Sequence, residues 1–93
     1  MNSYDRVHIR VEGIVQGVGF RYFVLKTCRR MNLGGWVRNT CDGAVELVAE
    51  GPRGLLETLR KELWTGNPWA SVRDVVVNWE KYSSEFDGFD IRM

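Results

Sequence analysis

The chain has 93 residues, a formal net charge of +1, and 44% hydrophobic and 27% charged residues. That length makes one domain, residues 1–93, able to bury roughly 60–70% of its unfolded surface without metal or disulfide staples. The near-neutral charge argues against broad electrostatic binding to nucleic acid or a membrane surface, and no apolar run approaches the roughly 18 residues that a spanning helix needs.

Met1 to Arg6 is polar and has no apolar signal segment. From Asp5 to Glu12 the residues alternate, with Val7, Ile9 and Val11 on one face and Arg6, His8, Arg10 and Glu12 on the other. This is a strand with one wet face. Phe20, Val24, Cys28 and Met31 recur at helical spacing and predict a helix over Arg21 to Met31. Asn32 tolerates the left-handed conformation and can stop it. Gly34 to Thr40 reads as a second strand and Asp42-Gly43 as a hairpin turn. Ala44 to Glu50 alternates again, with Val45, Leu47 and Ala49 opposing Glu46, Val48 and Glu50. Gly51-Pro52 opens a second helix with Leu55, Leu56, Leu59 and Leu63 as its buried stripe, and Thr65 to Pro68 breaks it. Val72 to Trp79 is a β-branched strand, and Phe89 and Ile91 suggest a short last one. Lys81 to Gly88, between them, is a polar loop or a longer hairpin. The order is the split β-α-β-β-α-β plan, an α+β fold with two helices on one face of an antiparallel sheet.

Gly13 to Arg21 (GIVQGVGFR) joins the first strand to the first helix. Glycines admit positive φ and leave backbone N–H groups open. Several such groups in one concavity, with the free N–H groups of a helix start, make an anion nest. Arg21 in the first turn adds a fork of donors that fits a phosphate bidentately. The loop is not a dinucleotide fingerprint, because Tyr22 follows Gly17-Val18-Gly19 where a third glycine is needed. No Gly-Lys-Ser/Thr follows either, so it is not a P-loop.

A second site stands at the end of strand two, Gly35-Trp36-Val37-Arg38-Asn39. Period-two parity separates Val37 and Asn39 from Trp36 and Arg38. If Val37 packs under the helices, Asn39 emerges on the helix side. An amide there can donate to one oxygen and accept from a water beside a bound phosphoryl group. A lone Asn before a turn is otherwise a turn former. Whether this strand end reaches the glycine loop is not decided by the residues alone.

Val11 to Val24 (VEGIVQGVGFRYFV) followed by Gly35 to Gly51 (GWVRNTCDGAVELVAEG) closely resembles the acylphosphatase family. The likeness covers Arg6 to Gly51 closely and the remainder more loosely. It implies the ferredoxin-like fold and metal-free hydrolysis of acyl phosphates, with no cofactor. It further implies that Arg21 is the catalytic arginine and Asn39 the residue that orients water. The phosphate would be bound by Val15, Gln16, Gly17, Val18, Gly19 and Phe20 together with Arg21. The expected partner is a small-molecule acyl phosphate, and the expected state a cytoplasmic monomer. This chain departs from the family pattern at Asn32 and Cys28, and in the Thr65 to Ala70 stretch (TGNPWA) with its Trp69.

The remaining inventory fits chemistry that needs no protein base. His8 is expected on the solvent-facing side of its strand, away from the helices. Cys28 and Cys41 lack metal-ligand spacing and read as free thiols of a reducing compartment. Cys41, close to Asn39, has no basic partner in sequence that would make it a nucleophile. Arg38 points opposite to Asn39 as a rim charge, and Thr40 can hydrogen-bond around Asn39. Trp36, Trp64, Trp69 and Trp79 are expected in core or edge packing. Two other classes of function compete. One is a phosphate- or carbamoyl-phosphate-sensing module without turnover. The other is an RNA-binding sheet, which the lack of exposed aromatics on the central strands disfavours.

Overall fold

The computed structural model describes residues 3–93; Met1 and Asn2, at the head of the polar N-terminal stretch, lie outside the described residues. Its elements are β1 (Tyr4–Ile14), α1 (Phe20–Arg30), β2 (Gly34–Asn39), β3 (Val45–Pro52), α2 (Arg53–Thr65), β4 (Ser71–Glu80) and β5 (Phe89–Ile91). All seven expected elements are present, with ends shifted by one or two residues. The strands form one sheet in the order β4-β1-β3-β2-β5.

The core lies between the sheet and the two helices. Val7, Ile9 and Val11 of β1, Val37 of β2, and Val45, Leu47 and Ala49 of β3 are all buried. They meet Phe20, Val24 and Cys28 of α1 and Leu56, Leu59 and Leu63 of α2. The period-two and period-3.6 stripes of the sequence are therefore the two halves of one apolar layer.

One expectation is corrected: the sheet is mixed. β1 pairs antiparallel with β3 and β4, and β2 antiparallel with β3, but β5 runs parallel to β2, with Gly35 opposite Phe89 and Val37 opposite Ile91. β4 and β5 lie at opposite edges, so residues 81–88 are not a hairpin. They cross the end of the sheet, because the strand edge left open for Phe89 is that of β2. The crossing is pinned by polar contacts that periodicity does not show. Ser83 donates its N–H and its hydroxyl to Glu50 Oε2, both at 2.8 Å. Arg6 bonds Ser83, Glu80 and Glu85.

The face away from the helices is less wet than alternation implies. Val48 and Glu50 are buried there, and cross-strand ion pairs half-cover the rest. His8 Nε2 lies 2.6 Å from Glu46 Oε2, and Arg38 also pairs with Glu46. Trp36 and Trp79 are half-buried under Arg92 and Arg53 respectively. Trp64 and Trp69 do not follow the packing expectation: they are 43% and 79% exposed.

Candidate functional site

β1 leads straight into the loop at the head of α1. Val15 turns inward and is buried, whereas Gly17 and Gly19 are exposed, with φ of +76° and +74°. Both lie in the left-handed region, where a Cβ is strained. Gly19 is the N-cap of α1, and no side chain among the described residues caps the helix. The first turn also holds no acidic residue. The N–H groups that open α1 thus lack side-chain partners and face outward with the positive end of the helix.

Val15, Gly17, Gly19, Phe20 and Arg21 line a hollow of about 260 Å³, and Asn39 lines it from β2. Tyr22 and Ile91 complete the wall, and no carboxylate contributes to it. Arg21 is half-buried, and its guanidinium makes no ion pair among the described residues. Asn39 comes off β2 on the same face as buried Val37, as parity predicts. Its Oδ1 is buried and has no hydrogen-bond partner among the described residues. An orphaned buried acceptor is costly, so in water it calls for a donor in the hollow.

Two residues assigned to the loop by resemblance turn their side chains elsewhere. Gln16 donates its amide to Thr40 O and Ala44 O, both at 2.8 Å, and so ties the loop to the turn that follows Asn39. Val18 packs on the core, and its carbonyl accepts from Asn67 Nδ2 at 3.2 Å. Only their backbone groups are free to face an anion. The strut made by Gln16 was not legible beforehand, because a glutamine among glycines has no periodic signal. Thr40 does not bond Asn39. Its hydroxyl shapes the turn instead, bonding Asp42 and Ala44, while Arg10 and Thr40 hold the Asp42 carboxyl down at about 2.

Other nucleophiles and bases lie away from the hollow. His8 is on the opposite face of the sheet with Glu46. Cys28 is buried among core side chains, and burial pushes its thiol well up from the usual range. Cys41 is exposed in the turn and does not line the hollow. No group of three or more His, Cys, Asp or Glu residues that could hold a metal ion is found among the described residues. No helix among them is long and apolar enough to cross a membrane.

The comparisons agree with this architecture. The family model for acylphosphatase matches residues 7–91. An acylphosphatase of Salinibacter ruber is 46% identical over 87 residues, covering 94% of this chain and 92% of that protein. One from Anaeromyxobacter sp. is 45% identical over 92 residues, covering 99% of each. The crystal structure of acylphosphatase from Bacillus subtilis superposes with a TM-score of 0.92 at 38% identity, covering 96% of this chain and 99% of that one. A match across nearly the full length of both partners, in sequence and in fold, establishes that the chain belongs to the acylphosphatase family.

Proposed function

We propose that the hollow at the head of α1 is where the carboxyl–phosphate anhydride of an acyl phosphate is hydrolysed. In this reading the loop N–H groups from Val15 to Phe20, with the Arg21 guanidinium, hold the non-bridging oxygens of the phosphoryl group. They also balance the charge that gathers on those oxygens in the transition state. Asn39 Oδ1 accepts a hydrogen bond from a water and fixes its oxygen behind phosphorus, opposite the acyl oxygen. The water oxygen forms the new P–O bond as the P–O bond to the acyl group breaks. The electron pair leaves with the carboxylate. The water proton passes to a phosphoryl oxygen, and the products are a carboxylate and inorganic phosphate.

This route asks no protein group to be base, acid or nucleophile. A carboxylate is already a good leaving group, so positioning and charge stabilisation account for the rate. The single observation that supports the reading is that, among the described residues, Asn39 Oδ1 has no partner and faces the same hollow as Arg21, which has no ion pair. We read residues 1–93 as one such domain, acting as a cytoplasmic monomer on a small-molecule acyl phosphate. The purified protein should turn over benzoyl phosphate, with activity unchanged by EDTA, and Arg21→Ala should lose at least ~10²-fold, the scale of one transition-state charge donor. Phosphate binding without turnover in the wild-type protein would instead identify a sensing module.

A further inference from the structure

A second cleft, of about 360 Å³, opens beside the phosphate hollow and shares Gly19 and Tyr22 with it. Its size falls in the range of small-molecule sites, about 300–1,000 Å³. The walls are aromatic and cationic. Tyr22 is 60% exposed and Trp69 79% exposed, Phe23 closes the floor, and Lys26 and Arg30 stand along the rim. No Asp or Glu lines it, and neither cation has an ion-pair partner among the described residues. Lys26 Nζ lies 5.5 Å from the Tyr22 ring centroid. Tyr22, Lys26 and Arg30 are four residues apart on α1, so the cations stand about 6 and 12 Å along the helix from Tyr22.

The segment that presents Trp69 is held to the phosphate loop. Asn67, only 9% exposed, donates from Nδ2 to Val18 O at 3.2 Å and accepts the Trp69 N–H on Oδ1 at 2.9 Å. Gly66 presses on Phe23 so closely that a Cβ there would come within 2.5 Å of the ring. Tyr22 and Trp69 are both exposed and line one cleft, so the aromatic surface left in water beside the proposed phosphate site is grouped rather than scattered.

We infer that this cleft receives the acyl part of the substrate and selects acyl phosphates with a flat, aromatic acyl group that ends in a second anion. The inference rests on the phosphoryl group occupying the hollow beside Arg21. From there the acyl group has to leave past the shared wall at Gly19 and Tyr22. Beyond that wall the exposed rings of Tyr22 and Trp69 offer aromatic contact, and Lys26 and Arg30 offer charge to the far end.

Three substrates test this: acetyl phosphate, benzoyl phosphate and 4-carboxybenzoyl phosphate. The wild-type KM should fall in that order. Trp69→Ala should raise KM for both aromatic substrates by roughly 3- to 10-fold, the scale of one aromatic contact, and leave acetyl phosphate kinetics unchanged. Lys26→Gln combined with Arg30→Gln should erase the roughly 2- to 5-fold preference for the para-carboxylate, and added salt should weaken that preference in the wild type. All three side chains are exposed, so these variants fold. KM ratios that stay the same in both variants overturn the acyl cleft, while acetyl phosphate turnover that still depends on Arg21 leaves the phosphate site standing. Turnover independent of Arg21 overturns both.

Discussion

Gln16 and Thr40 are joined by a 2.8 Å hydrogen bond from the glutamine amide to the threonine carbonyl, and the same amide reaches Ala44 O at 2.8 Å. One side chain thus ties the glycine loop, which carries the proposed anion donors, to the strand end that carries Asn39. Gln16→Ala removes both of these bonds, but Ala44 O keeps the Thr40 N–H at 2.9 Å and Thr40 O keeps the Gly43 N–H at 3.4 Å, so the cost is about 0.5–1.5 kcal/mol per bond lost. It also frees the loop to drift. A misplacement near 1 Å costs on the order of 10²-fold in rate, so kcat should fall while phosphate still competes. Wild-type kcat alongside a lowered Tm would make the strut purely structural.

Asn39→Ala separates water placement from substrate holding. The variant should lose turnover yet keep the inhibition constant for inorganic phosphate, because the proposed anion donors, the loop N–H groups and Arg21, are untouched. Steady-state kinetics with phosphate as competitor reads both quantities. An equal loss of phosphate affinity would assign Asn39 to anion binding.

Gly35 reports on the sheet. Its φ is +144°, and a Cβ there would lie 1.9 Å from Val48 O on the neighbouring strand. Because the obstacle is backbone in the centre of β3, Gly35→Ala should destabilise by several kcal/mol. The expected result is little soluble protein, or a Tm lowered by more than ~10 °C. Gly43→Ala, with nothing within 4 Å of its added Cβ, should cost only ~1–2 kcal/mol of left-handed strain.

Acid should unfold this protein through its carboxylates. Burial pushes Glu50 up, but the N–H and hydroxyl of Ser83, with Arg6, outweigh it and leave the carboxyl below the usual range. Glu46 is lowered by its hydrogen bond to His8, against burial, and by Arg38. Both folded values lie below the unfolded ones. Their contribution is therefore complete above an unfolded pKa of ~4.3 and is lost as pH falls through the lower folded values. The Tm should hold near neutrality and drop below about pH 4, and Glu50→Gln should flatten that drop. A Tm independent of pH between 2 and 5 would remove these pairs from the stability of the fold.

The seven elements, the two helices over one face, the glycine loop and the place of Arg21 in the first turn of α1 were all legible in the residues alone. Each rests on local physics: alternation at Val7, Ile9 and Val11, helical spacing at Phe20, Val24 and Cys28, and left-handed tolerance at Gly17 and Gly19. The family was legible for the same reason, since its motifs are short-range. Parity also put Asn39 on the helix side. Tertiary structure alone decided that the end of β2 closes the hollow begun by Arg21, because that distance spans 18 residues and depends on where β2 pairs. It also decided that β5 runs parallel to β2, since three residues have no pattern strong enough to choose a neighbour. The Gln16 strut, the buried Glu50 that anchors the crossing segment, and the exposed Trp69 beside the loop were decided there too. Those are contacts between residues far apart in the chain, and they arise only when the fold brings the side chains together.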